Sequence, residues 1–531
     1  MQTQIQVRIN EEGALRNQRY AFTDRYTLIT ELLQNARRAG ADRIEVAFDA
    51  KTNMLRVTDN GRGVEDFQKL LVFNESGWDD ATCQHEHPFG IGFSKCLYAA
   101  TRCIVRSGDR FVDFQTDDAL ARKPIDVHLD TRGPITGTLV ELHGVDLPDM
   151  DARIGPLCAG FPVEVIYKGQ TLDRHYAEGG MDFTRSAVGA LHLAGVVSGN
   201  HSTTTLAFLQ GFRVLSSRHY SPGHVNVVHL DPEKFMARLP DRDKLIDESE
   251  QERVIHDEIR AQWRVILEVA KYQLPARQFV DRYYGAMRTF DHLDLLNDLD
   301  VLPRGVCASI RYYPYQDTDS DDRFLDTRID PPNRKAIESG ATVIVDLDGL
   351  DEDNAAHWMF ARAKGYLIAL PYGLAEGHWL HGKVRALSTE MLGLEPIGTP
   401  LHANFEGCWI NIKVVLCDAV RLRIGNEAVD ITEEGLHHGG TLFIPVGEIS
   451  GQPIRQVSTY VDENDQFREY ELDTDREALA DLIRRLRSID PKNTLESLLQ
   501  PLKLEKYPVL HGKTFRLHVV ERAAHSIELI E

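Results

Sequence analysis

Residues Leu28–Val46, LITELLQNARRAGADRIEV, begin with the pattern of a helix and end with that of a strand. The apolar residues of the first half recur at the i, i+3, i+4, i+7 spacing of an amphipathic helix: Ile29, Leu32, Leu33 and Ala36. This spacing predicts a helix that packs its apolar face against a sheet. Glu31 and Asn35 lie one turn apart on another face. A carboxylate there can hold a water and accept its proton, and a carboxamide oxygen suits Mg²⁺. The pair alone does not distinguish a site from a solvated polar stripe.

A second motif, VTDNGRGV, occupies Val57–Val64 and ends a predicted strand with an acid and two glycines. Asp59 is placed to accept a hydrogen bond from an exocyclic amine such as that of adenine. Gly61 and Gly63 let the backbone turn and approach a flat ligand. A simple turn is the alternative interpretation, because D-N-G is a common turn sequence.

A third motif, HPFGIGFSKCLYAATR, occupies His87–Arg102 and places two glycines before a predicted helix. A glycine-rich turn that opens a helix presents free N–H groups and a positive dipole end, which suit phosphate. The stretch matches neither the dinucleotide fingerprint nor a Walker loop. Taken alone, it is weak evidence for a nucleotide site.

In this order, E-x-x-x-N, D-x-G-x-G and G-x-G-F closely resemble the motif boxes of the GHKL (Bergerat-fold) ATPases. That superfamily includes the heat-shock protein 90 family, MutL, type II topoisomerases and histidine kinases. A fourth box is present in GTLVEL, where Gly137 and Thr138 open a predicted strand. The resemblance covers about residues 15–175. FGIGFSKC is most similar to the heat-shock protein 90 form, whereas NARRAGA is more similar to MutL.

The resemblance implies a role for each motif residue. Glu31 would be the general base that polarises the attacking water, and Asn35 would ligate Mg²⁺. Asp59 would bind the adenine amino group, with Thr138 nearby through water. The glycine-containing turns would supply the remaining nucleotide contacts, with Gly63 shaping the adenine pocket and backbone N–H groups facing the phosphates: Gly61, Gly63, Gly90, Ile91, Gly92 and Phe93.

Two features near these motifs stay open at the level of sequence. Arg38 stands where many members of the superfamily carry an acid, and it can pair with Glu31, pair with a phosphate or point to solvent. Residues 66–88 would form the lid that closes over ATP. Trp78, within that segment, is interpreted as a packing anchor for the lid.

The chaperone, MutL and topoisomerase branches follow the ATPase domain with an α/β transducer domain that sends a Lys or Arg to the γ-phosphate. Residues 234–248, KFMARLPDRDKLIDE, resemble the loop that carries this cation. Arg242 or Lys244 is the candidate, and a cation there would stabilise transition-state charge. A solvated charged loop is the alternative. Gln210 and Gly211, in LQGFRVLS, are a weaker candidate for another contact.

Composition limits the class of protein. The 531 residues suffice for about three domains, and 42% apolar with 27% charged residues is typical of a soluble globular chain. The net charge of −21 disfavours strong electrostatic binding to nucleic acid or to an anionic membrane, although a local basic patch is compatible with it. Seven cysteines without a C-x-x-C pair, and a polar N-terminus without an apolar signal core, favour a cytoplasmic protein that is not embedded in a membrane.

We therefore predict an α/β protein with a Bergerat α/β sandwich that binds ATP at 1–175, an α/β transducer-like domain at 176–285 and a mixed α/β region at 286–531. The last region has no recognised motif and would hold a protein client or partner. The predicted activity is Mg²⁺-dependent ATP hydrolysis that drives a conformational switch of the chaperone or remodelling type, compatible with a homodimer.

Histidine kinases usually carry Asn in place of Glu31, so this residue favours hydrolysis over phosphoryl transfer to histidine. The alternatives are a DNA-acting ATPase similar to MutL or MORC, and a non-hydrolysing ATP-binding subunit of a larger assembly, for example in defence.

Overall fold

The computed structural model describes the chain in two compact units, Met1–His292 and Leu293–Glu531. The described residues are all except 1–4, 7–9, 19, 21–23, 74–77, 79–91, 217–222, 239–240, 313–323, 329, 350–353, 458–468, 500–501, 521–524 and 531. Both units combine helices with sheets, which confirms the predicted mixed α/β class. The predicted regions 1–175 and 176–285 share the first unit, whose boundary follows His292 and not residue 285.

An eight-stranded sheet forms the centre of the first part of this unit. Its strands are β1 (Arg43–Asp49), β2 (Met54–Asp59), β3 (Arg102–Gly108), β4 (Arg110–Gln115), β5 (His128–Leu129), β6 (Ile135–His143), β7 (Glu164–Tyr167) and β8 (Gln170–Thr171). Their order is β5-β4-β3-β6-β2-β1-β7-β8. Neighbours are antiparallel except β1 and β7, which are parallel. The sheet is therefore mixed, and its β1–β2 hairpin is the one that the sequence predicted.

The described helices that accompany this sheet are α1 (Glu11–Gln18), α2 (Thr27–Arg38), α3 (Ser94–Ala99), α4 (Thr116–Leu120) and α5 (Met150–Cys158). A short 3-10 turn spans Phe67–Leu71. The predicted apolar face of α2 is buried in the same core as alternating residues of β1, β2 and β3, which confirms the periodicity argument. The polar face of α2, which carries Asn35, is left at the edge of this core.

A five-stranded sheet and two long helices complete the first unit. The strands are β9 (Thr184–Ser186), β10 (Gly189–His192), β11 (Thr205–Leu209), β12 (Phe212–Ser216) and β13 (Asn226–Leu230), in the order β12-β11-β13-β10-β9. The helices are α6 (Glu248–Gln273) and α7 (Ala276–Thr289). Phe212 packs on Phe161 of the first part at 5.0 Å between ring centroids. The two predicted domains of this unit thus share an aromatic contact.

The described residues of the second unit form four separate sheets. Its strands are β14 (Cys307–Ile310), β15 (Leu325–Thr327), β16 (Ile344–Asp346), β17 (Leu367–Ala369), β18 (Arg385–Ala386), β19 (Leu392–Ile397), β20 (Leu401–Glu406), β21 (Asn411–Leu416), β22 (Ala419–Ile424), β23 (Glu427–Ile431), β24 (Leu436–His438), β25 (Thr441–Ile444), β26 (Phe515–His518) and β27 (Ser526–Leu529). The sheet orders are β15-β14-β17-β16-β18, β19-β22-β23, β20-β21-β25-β24 and β26-β27.

The described helices of this unit are α8 (Arg334–Glu338), α9 (Ala355–Lys364), α10 (Glu469–Arg487) and α11 (Pro491–Leu499). The sequence predicts an apolar helical face with Leu479, Leu482, Ile483 and Leu486. On α10, Leu479 and Ile483 are buried and Leu482 is partly buried, whereas Leu486 at the end of the helix is 37% exposed. None of the described helices is both long and apolar enough to cross a membrane.

Candidate functional site

A cavity of about 470 Å³ opens between α2, the sheet and the turn that leads into α3. This volume is in the range of small-molecule sites. Eight residues singled out from the sequence line it: Glu31, Asn35, Asp59, Gly63, Gly92, Phe93, Thr138 and Arg242. Gly61 and Lys244 are not among its lining residues, and Gly90 and Ile91 lie outside the described residues. The structure thus brings together residues from all four motifs.

The floor of the cavity at α2 is formed by a buried carboxylate. Glu31 is 6% exposed. Asn35 and Arg38, further along the same helix, also line the cavity. The backbone of Gly92 lies directly against this carboxylate, because a Cβ built at Gly92 would collide with Glu31 Oε2. A side chain at residue 92 would therefore displace the Glu31 carboxylate from its present position.

The opposite wall is formed at the end of β2, where Asp59 pairs with Thr138 of β6. The backbone N–H of Gly61 donates to Asp59 Oδ1 at 2.9 Å. Burial raises the pKa of Asp59 above its ordinary value, while the backbone N–H groups of Gly61 and Thr138 act in the opposite direction. Gly61 thus orients the acid, and the cavity wall presents a desolvated carboxylate with capacity to accept a further hydrogen bond.

Ser107 on β3 ties the second and fourth motifs together. Its Oγ accepts a hydrogen bond from the Val64 N–H at 2.7 Å and donates one to the Gly137 carbonyl at 2.8 Å. Gly63 has φ +81 and packs against Ser107, so a side chain at 63 would be strained and would clash. Sequence reasoning missed Ser107, because only the pairing of β3 with β6 places it opposite Thr138.

We expect Asp59→Asn to weaken the ATP binding that the motifs predict by about tenfold to a hundredfold, because adenine would lose a charge-assisted hydrogen bond. The same change should raise the thermal midpoint of unfolding near pH 7. Because the pKa of Asp59 is raised in the folded state, the protonated acid contributes stability at pH values below its ordinary pKa of 3.8. This contribution is lost as the pH rises through the folded-state pKa, so the ionised acid at pH 7 is destabilising. Calorimetric titration with ATP and thermal melts measure the two effects. The stability gain should disappear below about pH 4, and a gain that persists there would contradict this origin.

Arg242 reaches the cavity from the loop between β13 and α6. Its Nε lies 3.2 Å from Glu31 Oε1, and its Nη1 donates to Gln210 Oε1 at 3.2 Å. The same Gln210 oxygen accepts a hydrogen bond from Gln34 Nε2 of α2 at 2.6 Å. Arg242 and Gln210 both adopt the left-handed backbone conformation, at φ +55 and +53. Such strain persists only where surrounding contacts fix the backbone. The guanidinium itself is positioned by its contacts with Glu31 and Gln210.

Two further polar residues hold this loop against the first part of the unit. Thr27 Oγ1 donates to Asp241 Oδ1 at 2.8 Å. Lys95, at the start of α3, is buried, and burial lowers its pKa, an effect that the nearby Asp241 and Asp24 carboxylates oppose. Lys95 and Gln34 could not be singled out from the sequence, because neither of them is one of the characteristic motif residues.

The two cations proposed for the transducer loop differ in their environment. Lys244 forms an ion pair with Glu248, four residues further on, at 3.5 Å between Nζ and Oε2, and about half of each side chain is exposed. Arg242 is largely buried beside Glu31. Of the two candidates, the structure brings only Arg242 to the cavity.

The rim of the cavity carries three further basic side chains, Arg38, Arg62 and Lys69. The Arg62 guanidinium lies 5.1 Å from the centroid of the Trp78 ring, in a cation–π contact. Nη2 of Arg38 is buried, so this side chain does not simply point to solvent. With Arg242, four cations line one cavity of a chain whose net charge is −21. Four carboxylates line it as well, those of Glu31, Asp59, Glu65 and Asp66. The cavity therefore offers both cations that can contact an anionic group of a ligand and acids that can accept hydrogen bonds.

In comparisons with known proteins, no family model matches the chain and no curated protein shows significant similarity to it. The family relationship therefore remains a resemblance carried by the four motifs.

Proposed function

We propose that this chain is a Mg²⁺-dependent ATPase of the GHKL type that works as a conformational switch. The observation that carries the proposal is that one cavity is lined by residues of all four motifs, from Glu31 to Thr138, together with Arg242 from the second sheet's loop. These residues are far apart in sequence, and chance patterns would not be expected to converge on one cavity.

In this proposal Glu31 holds the attacking water and accepts its proton. A carboxylate suits this task because it is an acceptor and can be oriented by its surroundings. The Arg242 guanidinium, 3.2 Å from Glu31 Oε1, provides positive charge next to the position where the transferring phosphoryl group gains negative charge. Arg242 would pair with Glu31 before ATP binds and would turn toward phosphate after it binds.

The donor set fits magnesium bound together with a nucleotide. Among the described residues there is no cluster of three or more His, Cys, Asp or Glu that would form a cage for a metal ion, and Asn35 offers a single amide oxygen at the cavity. Mg²⁺ commonly binds through few protein ligands, several waters and substrate phosphates. When bound, it would neutralise phosphate charge. Asn35 would hold it on the α2 side.

The opposite end of the cavity suits adenine. Asp59 accepts a hydrogen bond and stands beside Thr138, whereas Val57, Val105 and Val140 supply apolar surface for a flat ring. An acceptor at Asp59 favours adenine over guanine. The amine of adenine can donate a hydrogen bond to the carboxylate, whereas guanine would present a carbonyl oxygen in the same place.

The hydrogen bond from Gln34 to Gln210 and the Glu31–Arg242 ion pair support the switch. Both join α2 to segments of the second sheet's region, so a ligand that competes for Arg242 changes the contacts between the two parts. A nucleotide shifts the population of states only if it binds one of them more tightly. This coupling is the basis for proposing a chaperone-like or remodelling role, with a protein client or partner on the second unit.

Arg38→Ala is expected to weaken ATP and ADP binding alike, by about tenfold, because a lost charge-assisted contact costs 1.5 kcal/mol or more. Arg38 stands roughly 10 Å along α2 from Glu31, so it would contact the phosphates away from the reacting end. Arg37→Ala is the matched control, since Arg37 is the adjacent cation and is not among the residues lining the cavity. Calorimetry with both nucleotides measures the effect, and a loss for ATP alone would place Arg38 at the γ-phosphate.

The proposal is tested by nucleotide binding and phosphate release measured on the full chain. Binding can be followed by tryptophan fluorescence, with Trp78→Phe as the control that identifies the signal from the cavity. We expect Mg²⁺-dependent binding of ATP in preference to GTP, followed by release of phosphate. Binding without release would indicate the non-hydrolysing alternative, and stimulation by DNA that falls with salt would indicate the DNA-acting one. Failure to bind ATP would overturn the proposal.

A further inference from the structure

The tight turn between β11 and β12 carries a glutamine in an unfavourable backbone conformation. Gln210 and Gly211 form a two-residue loop between the paired residues Leu209 and Phe212, and both have positive φ, +53 and +89. Positive φ at both positions is typical of a type I′ turn, whose first position usually holds Asn, Asp or Gly. A glutamine at this position is strained, and such strain points to a role for its side chain.

The position of this turn is fixed by the first part of the unit. A Cβ built at Gly211 would lie 2.7 Å from Pro162 Cδ and 3.0 Å from Phe161 Cα, so the turn lies directly against the chain that follows α5. Phe212, the next residue, packs on the ring of the same Phe161. The Gln210 side chain therefore extends from a fixed point of the backbone.

The amide oxygen of Gln210 connects Arg242 to the helix that carries the proposed base. It accepts a hydrogen bond from Gln34 Nε2 at 2.6 Å and one from Arg242 Nη1 at 3.2 Å. An amide oxygen has two lone pairs and can accept both. Gln34 is 2% exposed and lies three residues after Glu31 on α2. Gln210 thus ties the guanidinium to α2 close to Glu31.

The ion pair with Glu31 does not by itself orient Arg242. Arg242 Nε lies 3.2 Å from Glu31 Oε1, but it is buried and is not aligned for a hydrogen bond to any residue that the structure describes. The carboxylate therefore attracts the guanidinium without fixing its direction. The hydrogen bond from Nη1 to Gln210 supplies the direction.

We propose that Gln210 is a positioning residue, whose amide oxygen keeps its hydrogen bond to Arg242 Nη1 while the guanidinium turns from Glu31 to the phosphate. This role rests on the ATPase function proposed above. Gln210 is not among the residues that line the nucleotide cavity, so it acts through Arg242. A neutral acceptor suits the task, because a carboxylate in its place would hold the guanidinium more strongly and compete with the phosphate for it.

The test compares two substitutions of Gln210 in ATP hydrolysis by the full chain. Gln210→Asn keeps the amide and suits the turn, but the side chain is one methylene shorter and cannot reach Arg242 from the same backbone. We expect kcat to fall about tenfold to a hundredfold, the usual effect of losing a hydrogen bond to a charged group. The dissociation constant of ATP, measured by calorimetry, should change little. Gln210→Glu keeps the length of the side chain and should also lower kcat, because the added carboxylate retains Arg242.

Lys168→Asn is the matched control for the turn. Lys168 and Gly169 form a two-residue loop of the same kind between β7 and β8, with φ of +50 and +76, and neither residue lines the cavity. This variant should keep the kcat of the wild type. In the Arg242→Ala background, Gln210→Asn should cause no further loss of kcat, because the two residues act as one unit. A merely structural role of Gln210 would lower kcat in both backgrounds.

The outcomes separate this role from the proposed function. A wild-type chain that does not hydrolyse ATP would overturn both. If Arg242→Ala were slow and Gln210→Asn kept the wild-type kcat, only the positioning role would be overturned, and an equal loss with and without Arg242 would overturn it too. Gln210→Glu decides the question if the shorter side chain impairs folding, since wild-type kcat in this variant would also contradict the role.

Discussion

Replacing Glu31 with alanine is expected to lower kcat for ATP hydrolysis by about 10²–10⁴-fold, the usual contribution of a positioned general base. ATP affinity should change little, because the adenine and phosphate contacts proposed above do not involve this carboxylate. The loss should therefore appear in kcat, and not in the dissociation constant. Phosphate release under saturating ATP and calorimetric titration measure the two quantities separately.

The alanine variant also removes the ion-pair partner of Arg242, so a second substitution is needed to isolate the base. Glu31→Gln keeps the shape of the side chain and can still accept a hydrogen bond, but it cannot accept the proton. It should be as inactive as the alanine variant. Glu65→Ala, which removes another acid that lines the cavity, is the matched control. Unchanged turnover in Glu31→Gln would exclude Glu31 as the base and favour the non-hydrolysing alternative.

Replacing Arg242 with alanine is expected to lower kcat by about 10²–10³-fold, the typical cost of removing one preorganised group that stabilises transition-state charge. Lys244→Ala should leave kcat nearly unchanged, because Lys244 pairs with Glu248 and is not among the residues that line the cavity. The two residues lie in one loop and carry the same charge, so the comparison separates position from net charge. Single-turnover phosphate release gives the rate of the chemical step for both.

Removal of Arg242 should have a second effect that a purely structural role would not produce. Because Arg242 contacts both Glu31 and Gln210, its loss should weaken the coupling between nucleotide binding and the second sheet. Hydrogen exchange in β11 and β12 with and without ATP reports this coupling. If Arg242→Ala and Lys244→Ala were equally active, the loop would be the solvated charged segment that the sequence left as an alternative.

Most of the first unit could be predicted from sequence because its signals are local. The apolar stripe of α2 and the alternation of β1 and β2 each report which face is buried, and the structure confirms them. The sequence from about 248 to 273 has the pattern of a long helix, and α6 has those bounds. Asp59 could be singled out because an acid followed by two glycines at a strand end departs from ordinary strand composition.

Other members of the site depend on contacts between distant segments, which periodicity does not contain. Ser107 acts through the pairing of β3 with β6, and Gln34 acts through Gln210, 176 residues away in sequence. The choice between Arg242 and Lys244 was open for the same reason. The resemblance to a family supplied the roles of Glu31 and Asn35, and their spacing alone would have left them as a polar stripe.

In the second unit the strands are short, and their pairing into four sheets was not predictable. The acidic, proline-containing stretch at 314–334 has the composition of an exposed loop or linker, yet strand β15 lies inside it. Its three residues are ordered as a strand by pairing with β14, which is a tertiary effect. Whether so short a segment forms a strand depends more on the strand it pairs with than on the intrinsic propensity of its residues.

The central claim is that the cavity binds ATP and that Glu31 drives its hydrolysis. The most direct measurement is a single-turnover experiment with radiolabelled ATP and Mg²⁺ on the wild type and Glu31→Gln, in which bound nucleotide and released phosphate are quantified in the same samples. The account predicts that both proteins retain ATP and that only the wild type converts it to ADP and phosphate. Equal phosphate release from both proteins, or no nucleotide bound to the wild type, would contradict it.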